Sequence, residues 1–155
     1  MKGIKILLVF LLIFFVSLAD AQQVKVDSLY KEYLKTVDDT AKVNLLTDIY
    51  KAYSKFNEVK GLGYAREALE LSERKHFDRG ICIANTQIGD YFYDQLNYSE
   101  ALKHYLKATI AGENQKMFVE LSVIYNKIGI IYSNQKKNTV SLKYFFASVY
   151  LPKSL

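Results

Sequence analysis

Residues 84–108 read ANTQIGDYFYDQLNYSEALKHYLKA, and residues 124–148 read IYNKIGIIYSNQKKNTVSLKYFFAS. The two stretches match at an offset of 40: Ile88-Gly89 with Ile128-Gly129, Phe92 with Tyr132, Gln95 with Gln135, Leu102-Lys103 with Leu142-Lys143. Tyr105 falls on Phe145, and small residues fall on small ones, Ala101 on Ser141 and Ala108 on Ser148. Self-similarity at a fixed period marks stacked supersecondary units rather than an ordinary globular domain. Apolar residues inside each copy recur at helical spacing, as at Ile81, Ala84, Ile88 and Tyr91. The chain has one proline and seven glycines, too few turn-formers for an all-β protein.

Working upstream, a weaker copy emerges. Gly61-Leu62 and Ala68 sit 40 residues before Ala101-Leu102 and Ala108, while Ile49 and Tyr53 sit 39 before Ile88 and Phe92. The one-residue difference falls in the connection near 56–60. Each copy splits into two helices. Asp78 is the expected N-cap of one, and turns are expected at Leu96-Asn97 and over Lys136–Asn138. A further short helix is expected over 27–36, with Leu29, Tyr30, Tyr33 and Leu34 on one side. A mid-helix glycine costs about 1 kcal/mol against alanine. Its recurrence at Gly89 and Gly129 therefore implies close helix packing, with Phe92 or Tyr132 expected to fill the hole beside it.

The pattern of apolar-Gly, an aromatic, Gln before the turn, Ala-Leu, an aromatic and Ala resembles the tetratricopeptide repeat. Ile88-Gly89, Phe92, Ala101-Leu102, Tyr105 and Ala108 carry the resemblance, and it recurs at Ile128-Gly129, Tyr132, Ser141-Leu142, Phe145 and Ser148. Pro152 stands one residue early for the repeat's terminal proline, and Tyr50 stands where a small residue is expected. The resemblance implies an all-α, tetratricopeptide-like solenoid of about three antiparallel helix pairs, in copies over about 39–77, 78–115 and 116–152. It also implies a concave groove lined by the first helix of each pair. At the register positions facing that groove stand Asn44, Thr47, Lys51 and Ser54; Ile83, Thr86, Asp90 and Tyr93; and Val123, Asn126, Ile130 and Ser133. Members that clamp a peptide's terminal carboxylate use Lys and Asn at positions occupied here by Thr47, Lys51, Thr86, Asp90, Asn126 and Ile130, so that activity does not transfer. Of the groove positions, Tyr93 and Asp90 are expected to bind the partner without supporting the fold. The layout is also similar to the exported N-terminal regions of some bacterial sensor kinases and regulators. Two readings follow: a protein-binding or peptide-binding module, or a truncated signal-input domain of a longer regulatory protein.

Residues 1–21 read MKGIKILLVFLLIFFVSLADA. Lys2 and Lys5 precede an apolar run from Ile6 to Val16, and Ala19-Asp20-Ala21 offers a peptidase site. These are the parts of a cleaved secretory signal, in order. The run is shorter than the roughly 20 residues a spanning helix needs. The expectation is cleavage after Ala21, no stable membrane span, a short helical segment over 22–38, a repeat domain over 39–152, and a periplasmic or secreted location.

Composition limits the chemistry. The net charge of +5 comes from 21 basic and 16 acidic residues scattered along the chain, without the concentrated basic face of a nucleic-acid binder. One cysteine excludes an internal disulfide. Cys82 sits between two isoleucines and reads as a buried small hydrophobe. His76 and His104 lie 28 residues apart with no metal-binding spacing, so no metal or cofactor is expected. Glu67, Glu70 and Glu73 read as a solvated helix face. No phosphate loop is present, because Gly61-Leu62-Gly63 lacks the lysine. With no clustered catalytic residues, the chain is expected not to be an enzyme.

The final helix carries Leu142, Tyr144, Phe145, Phe146, Val149 and Tyr150, followed by Leu151, with Lys143 and Lys153 as the nearby charges. One face alone can pack on the preceding helix. The expectation is an exposed apolar patch through which the chain self-associates, or a chain that is a fragment of a longer repeat array.

Overall fold

A computed structural model describes residues 22–151, and the described residues contain helices and no strand. Residues 1–21, read from the sequence as a secretory signal, and Pro152 lie outside them. Helix α1 covers 22–35, longer than the short helix expected there. It is followed by α2 (Asp39–Tyr53), α3 (Glu58–Arg74), α4 (Asp78–Asp94), α5 (Tyr98–Asn114), α6 (Phe118–Asn134) and α7 (Asn138–Tyr150). Each helix packs on its neighbour in the chain, most extensively α2 on α3, α4 on α5 and α6 on α7. Helix α2 also touches α4.

Four consecutive helices, α3 to α6, have 17 residues each and are joined by three-residue turns. That 20-residue beat is the physical basis of the 40-residue period. Each turn is held the same way. His76, Leu96, Lys116 and Lys136 take left-handed φ values of 52° to 58°. The residue after each one donates its N–H back five positions, as Phe77 to the Ser72 carbonyl and Asn97 to the Phe92 carbonyl, both at 2.9 Å. This is the Schellman closure, built here without the usual glycine. The turn between α2 and α3 differs: Ser54 stays right-handed and Asn57 N–H reaches the Tyr53 carbonyl at 2.7 Å. Helix α2 starts 39 residues before α4, whereas α4 starts 40 before α6, so the missing residue lies at the end of α2 and its turn.

Asn57 and Asn97 cap α3 and α5 through their side chains, and Asp38 caps α2. Asp78 does not cap α4. It is the first helical residue, and the cap position belongs to Phe77, which packs inward.

The glycines mark close approaches, but not with the partners expected. A Cβ on Gly89 would meet the Tyr105 ring at 2.6 Å, and one on Gly129 would meet the Phe145 ring at 2.7 Å. The ring seated on each glycine thus comes from the following helix, not from Phe92 or Tyr132. Those two residues form a second recurring feature. Phe92 stacks on His104 (centroids 5.8 Å apart) and Tyr132 on Tyr144 (5.6 Å). Tyr53 stacks on Tyr64 at the matching place (5.5 Å).

The two ends differ. Helix α1 covers the N-terminal end, with Val26 buried against Ile49, Ala52 and Tyr53, and with Tyr33 donating to Glu67 at 2.6 Å. At the other end Leu142, Phe146, Val149 and Tyr150 are exposed.

Candidate functional site

The three helices α2, α4 and α6 open onto a common groove with a cavity of about 330 Å³. Lys51 comes from α2, Ile83, Thr86 and Asp90 from α4, and Val119 and Val123 from α6. The apolar members stand one or two turns apart because each helix exposes one stripe to the groove while burying the opposite one. Val119 and Val123 remain exposed on its wall. Such a surface, apolar with a few polar groups at fixed places, is the ordinary character of a binding site.

Most polar groups in the groove already have partners. Lys51 Nζ lies 2.8 Å from Asp48 on its own helix. Thr86 Oγ1 donates to the Cys82 carbonyl at 2.8 Å. Asp90 accepts from Tyr105 Oη at 2.7 Å and from Lys127 Nζ at 2.5 Å, and so ties α4 to both α5 and α6. The Lys127 ammonium also lies 5.9 Å from the centre of the Tyr105 ring. Burial, followed by the Asp90 charge and hydrogen bond, pushes the Tyr105 hydroxyl far above the ordinary phenol range, so it stays a donor.

One group has no partner. Gln87 lines the groove and is buried; its Nε2 donates to the Thr47 carbonyl at 3.1 Å, and Tyr50 Oη donates to the Gln87 carbonyl at 2.9 Å. The bond to Thr47 fixes which end of the carboxamide is nitrogen, since two oxygens would repel there. Gln87 Oε1 is left as the one buried side-chain polar atom without a hydrogen bond among the described residues. An unsatisfied buried acceptor costs on the order of 1–3 kcal/mol.

Of the residues named from the sequence, the cavity gathers Lys51, Thr86 and Asp90. Asn44, Asn126, Ile130 and Ser133 are exposed on α2 and α6 outside it. Thr47 is only 4% exposed and its hydroxyl donates to the Asn44 carbonyl, so it faces the interior. Tyr93 is half-buried, packed against the core and 5.7 Å from the Tyr98 ring. Asp90 and Tyr93 therefore both take part in internal contacts. Gln87, Tyr50 and Val119 were not anticipated in the groove. A signal for Gln87 existed: it and Lys127 stand 40 residues apart, and each reaches back to the preceding copy.

The remaining candidates for chemistry are structural. Cys82 is fully buried, and burial pushes its thiol up to about 11, leaving it protonated and inert at neutral pH. His104 is half-buried, with Nδ1 2.9 Å from Asn85 Oδ1. Burial and then the Lys107 charge hold its pKa below the ordinary imidazole value. Asn85 Nδ2 donates to the Ile81 carbonyl, so its oxygen faces the ring and His104 Nδ1–H is the donor. Among the described residues no three His, Cys, Asp or Glu side chains converge as a metal ion would need. None of the described helices is long and apolar enough to cross a membrane. No known family model matches the chain, and no curated protein shows significant similarity to it.

Proposed function

We propose that the chain is a non-enzymatic binding module, a tetratricopeptide-like solenoid of three antiparallel helix pairs. Its groove on α2, α4 and α6 takes an apolar peptide segment of another protein. The carrying observation is Gln87 Oε1, a buried acceptor without a partner beside an apolar cavity. An occupant that places an apolar side chain against Ile83 and Val123 and brings an N–H donor to Gln87 would relieve both the exposed valines and the unsatisfied oxygen. Lys51, Thr86 and Asp90 frame the cavity. Cleavage of residues 1–21 would put the module in the periplasm or outside the cell.

An array of apolar peptides, probed with the wild type and with Val123→Glu, tests the reading. Val123 is half-exposed, so the charge should leave the helical melt unchanged while abolishing the peptide signal. Peptides bound equally by both proteins would refute a groove site.

A further inference from the structure

Building on the groove as a peptide site, we propose that its ligand carries acidic residues at one end of the apolar segment, held by Lys25, Lys51 and Lys55. A second cavity, of about 460 Å³, opens between the start of α1 and the end of α2. Gln22 and Lys25 of α1 line it, with Lys51 of α2 and with Ser54 and Lys55 just beyond α2. Lys51 also lines the groove cavity, so one side chain borders both and a single extended chain can pass over it. Such a chain crosses α6, α4, α2 and α1 in that order. Lys51 and Lys55 stand four residues apart, about 6 Å along a helix, a span that two extended peptide residues cover.

Charge decides the class of ligand. The acids that line the groove already face cations: Asp90 meets Lys127 at 2.5 Å, and Glu120 meets Arg79 at 3.6 Å. The second cavity has three lysines and no acid among its lining residues. Lys25 and Lys55 make no ion pair among the described residues. Lys51 has Asp48 at 2.8 Å, but both side chains are more than half exposed. An exposed pair of this kind is weak enough to exchange Asp48 for a ligand carboxylate. Unpaired positive charge therefore stands at the α1 end of an apolar groove. A peptide with an apolar segment and carboxylates beside it matches both halves. A free anion such as phosphate would use the lysines and leave Ile83 and Val123 uncovered.

Apolar peptides printed in three versions, with three Glu, three Gln or three Lys added at one end or the other, test the idea. The array is probed with the full chain in a mild non-ionic detergent, so that residues 1–21 stay dispersed, at low and at high salt. At low salt the Glu versions should give about fivefold more signal than the Gln versions, the scale of a few exposed ion pairs, with the Lys versions weakest. High salt should bring the ratio close to one. Lys25→Gln combined with Lys55→Gln alters two exposed side chains and should melt like the wild type. That variant should lose the Glu preference and keep the Gln signal. Glu and Gln versions bound equally by the wild type would overturn the acidic ligand and leave the groove standing, whereas no binding by any version would overturn both. A Glu preference that survives in the double variant, or in Val123→Glu, also overturns the proposal, because the charge then acts away from the lysines or apart from the groove.

Discussion

Helices α2 and α3 meet with a large residue on the first and a small one on the second: Tyr50 and Ala65 share one core cluster. Helices α4 and α5 reverse the assignment, with Gly89 on the first and Tyr105 on the second, and α6 and α7 follow with Gly129 and Phe145. The residues occupy matching repeat positions, so the first copy has exchanged knob and hole. Close packing constrains the sum of the facing volumes and not which helix supplies the ring. The exchange also changes connectivity. Tyr105 Oη ends on Asp90 of the helix it packs against, whereas Tyr50 Oη crosses to the Gln87 carbonyl on α4. The ring on the first helix therefore ties one copy to the next.

The largest effects should come from removing the rings. Tyr50→Ala and Tyr105→Ala each delete a buried aromatic and are expected to cost about 3–5 kcal/mol, read from denaturant midpoints. Tyr50→Ala should in addition loosen hydrogen-exchange protection at α4, because its hydroxyl bond ends there. Protection of α4 in Tyr50→Ala equal to that in the wild type would count against the cross-copy tie.

A smaller contrast lies in the holes. Gly89→Ala puts a Cβ 2.6 Å from the Tyr105 ring, which is buried and anchored on Asp90, and should cost about 1–3 kcal/mol. Gly61→Ala meets nothing nearer than 3.4 Å and should be neutral or stabilising by up to about 1 kcal/mol through helix propensity. Thermal melts of the two variants that shift in the same direction would break the knob-and-hole account.

The turns sharpen the same comparison. Leu96→Gly and Lys136→Gly replace left-handed non-glycine residues and should each stabilise by roughly 0.5–1 kcal/mol. Phe56→Gly, in the turn without such a residue, should not. Urea midpoints of the three variants decide this.

The smallest effect is a pH dependence. The ring stack that is Tyr53 on Tyr64 and Tyr132 on Tyr144 is Phe92 on His104 in the middle copy. The folded protein holds His104 below its unfolded pKa, so the unfolded chain takes up the proton first. Its contribution is intact above pH 6.5 and declines as the pH falls below that value. His104→Tyr restores the residue type of the other copies and should flatten that part of the stability–pH curve.

Much of this was legible in the residues. The 40-residue offset, the helical spacing of the apolar positions and the paired glycines predicted an all-α chain with neighbouring helices in close contact. The three stacks were legible too, since Tyr64, His104 and Tyr144 stand 40 apart, but a histidine between two tyrosines hides the repeat when residue types are matched. The exchange of Tyr50 for Ala65 was half visible: the misplaced tyrosine stood out, and the compensating alanine did not.

Periodicity tells which face of a helix is apolar, because that depends only on 3.6 residues per turn. The sequence by itself therefore determined the helices, their beat and the places where two of them must approach. Which side chain fills which gap depends on how far each helix is rotated and slid against its neighbours, and packing across the whole stack sets that. Only the tertiary structure decided that Tyr105 and Phe145, not Phe92 and Tyr132, sit on the glycines. It alone turned Thr47 inward, bound Asp90 to Tyr105 and Lys127, and left the Gln87 oxygen without a partner.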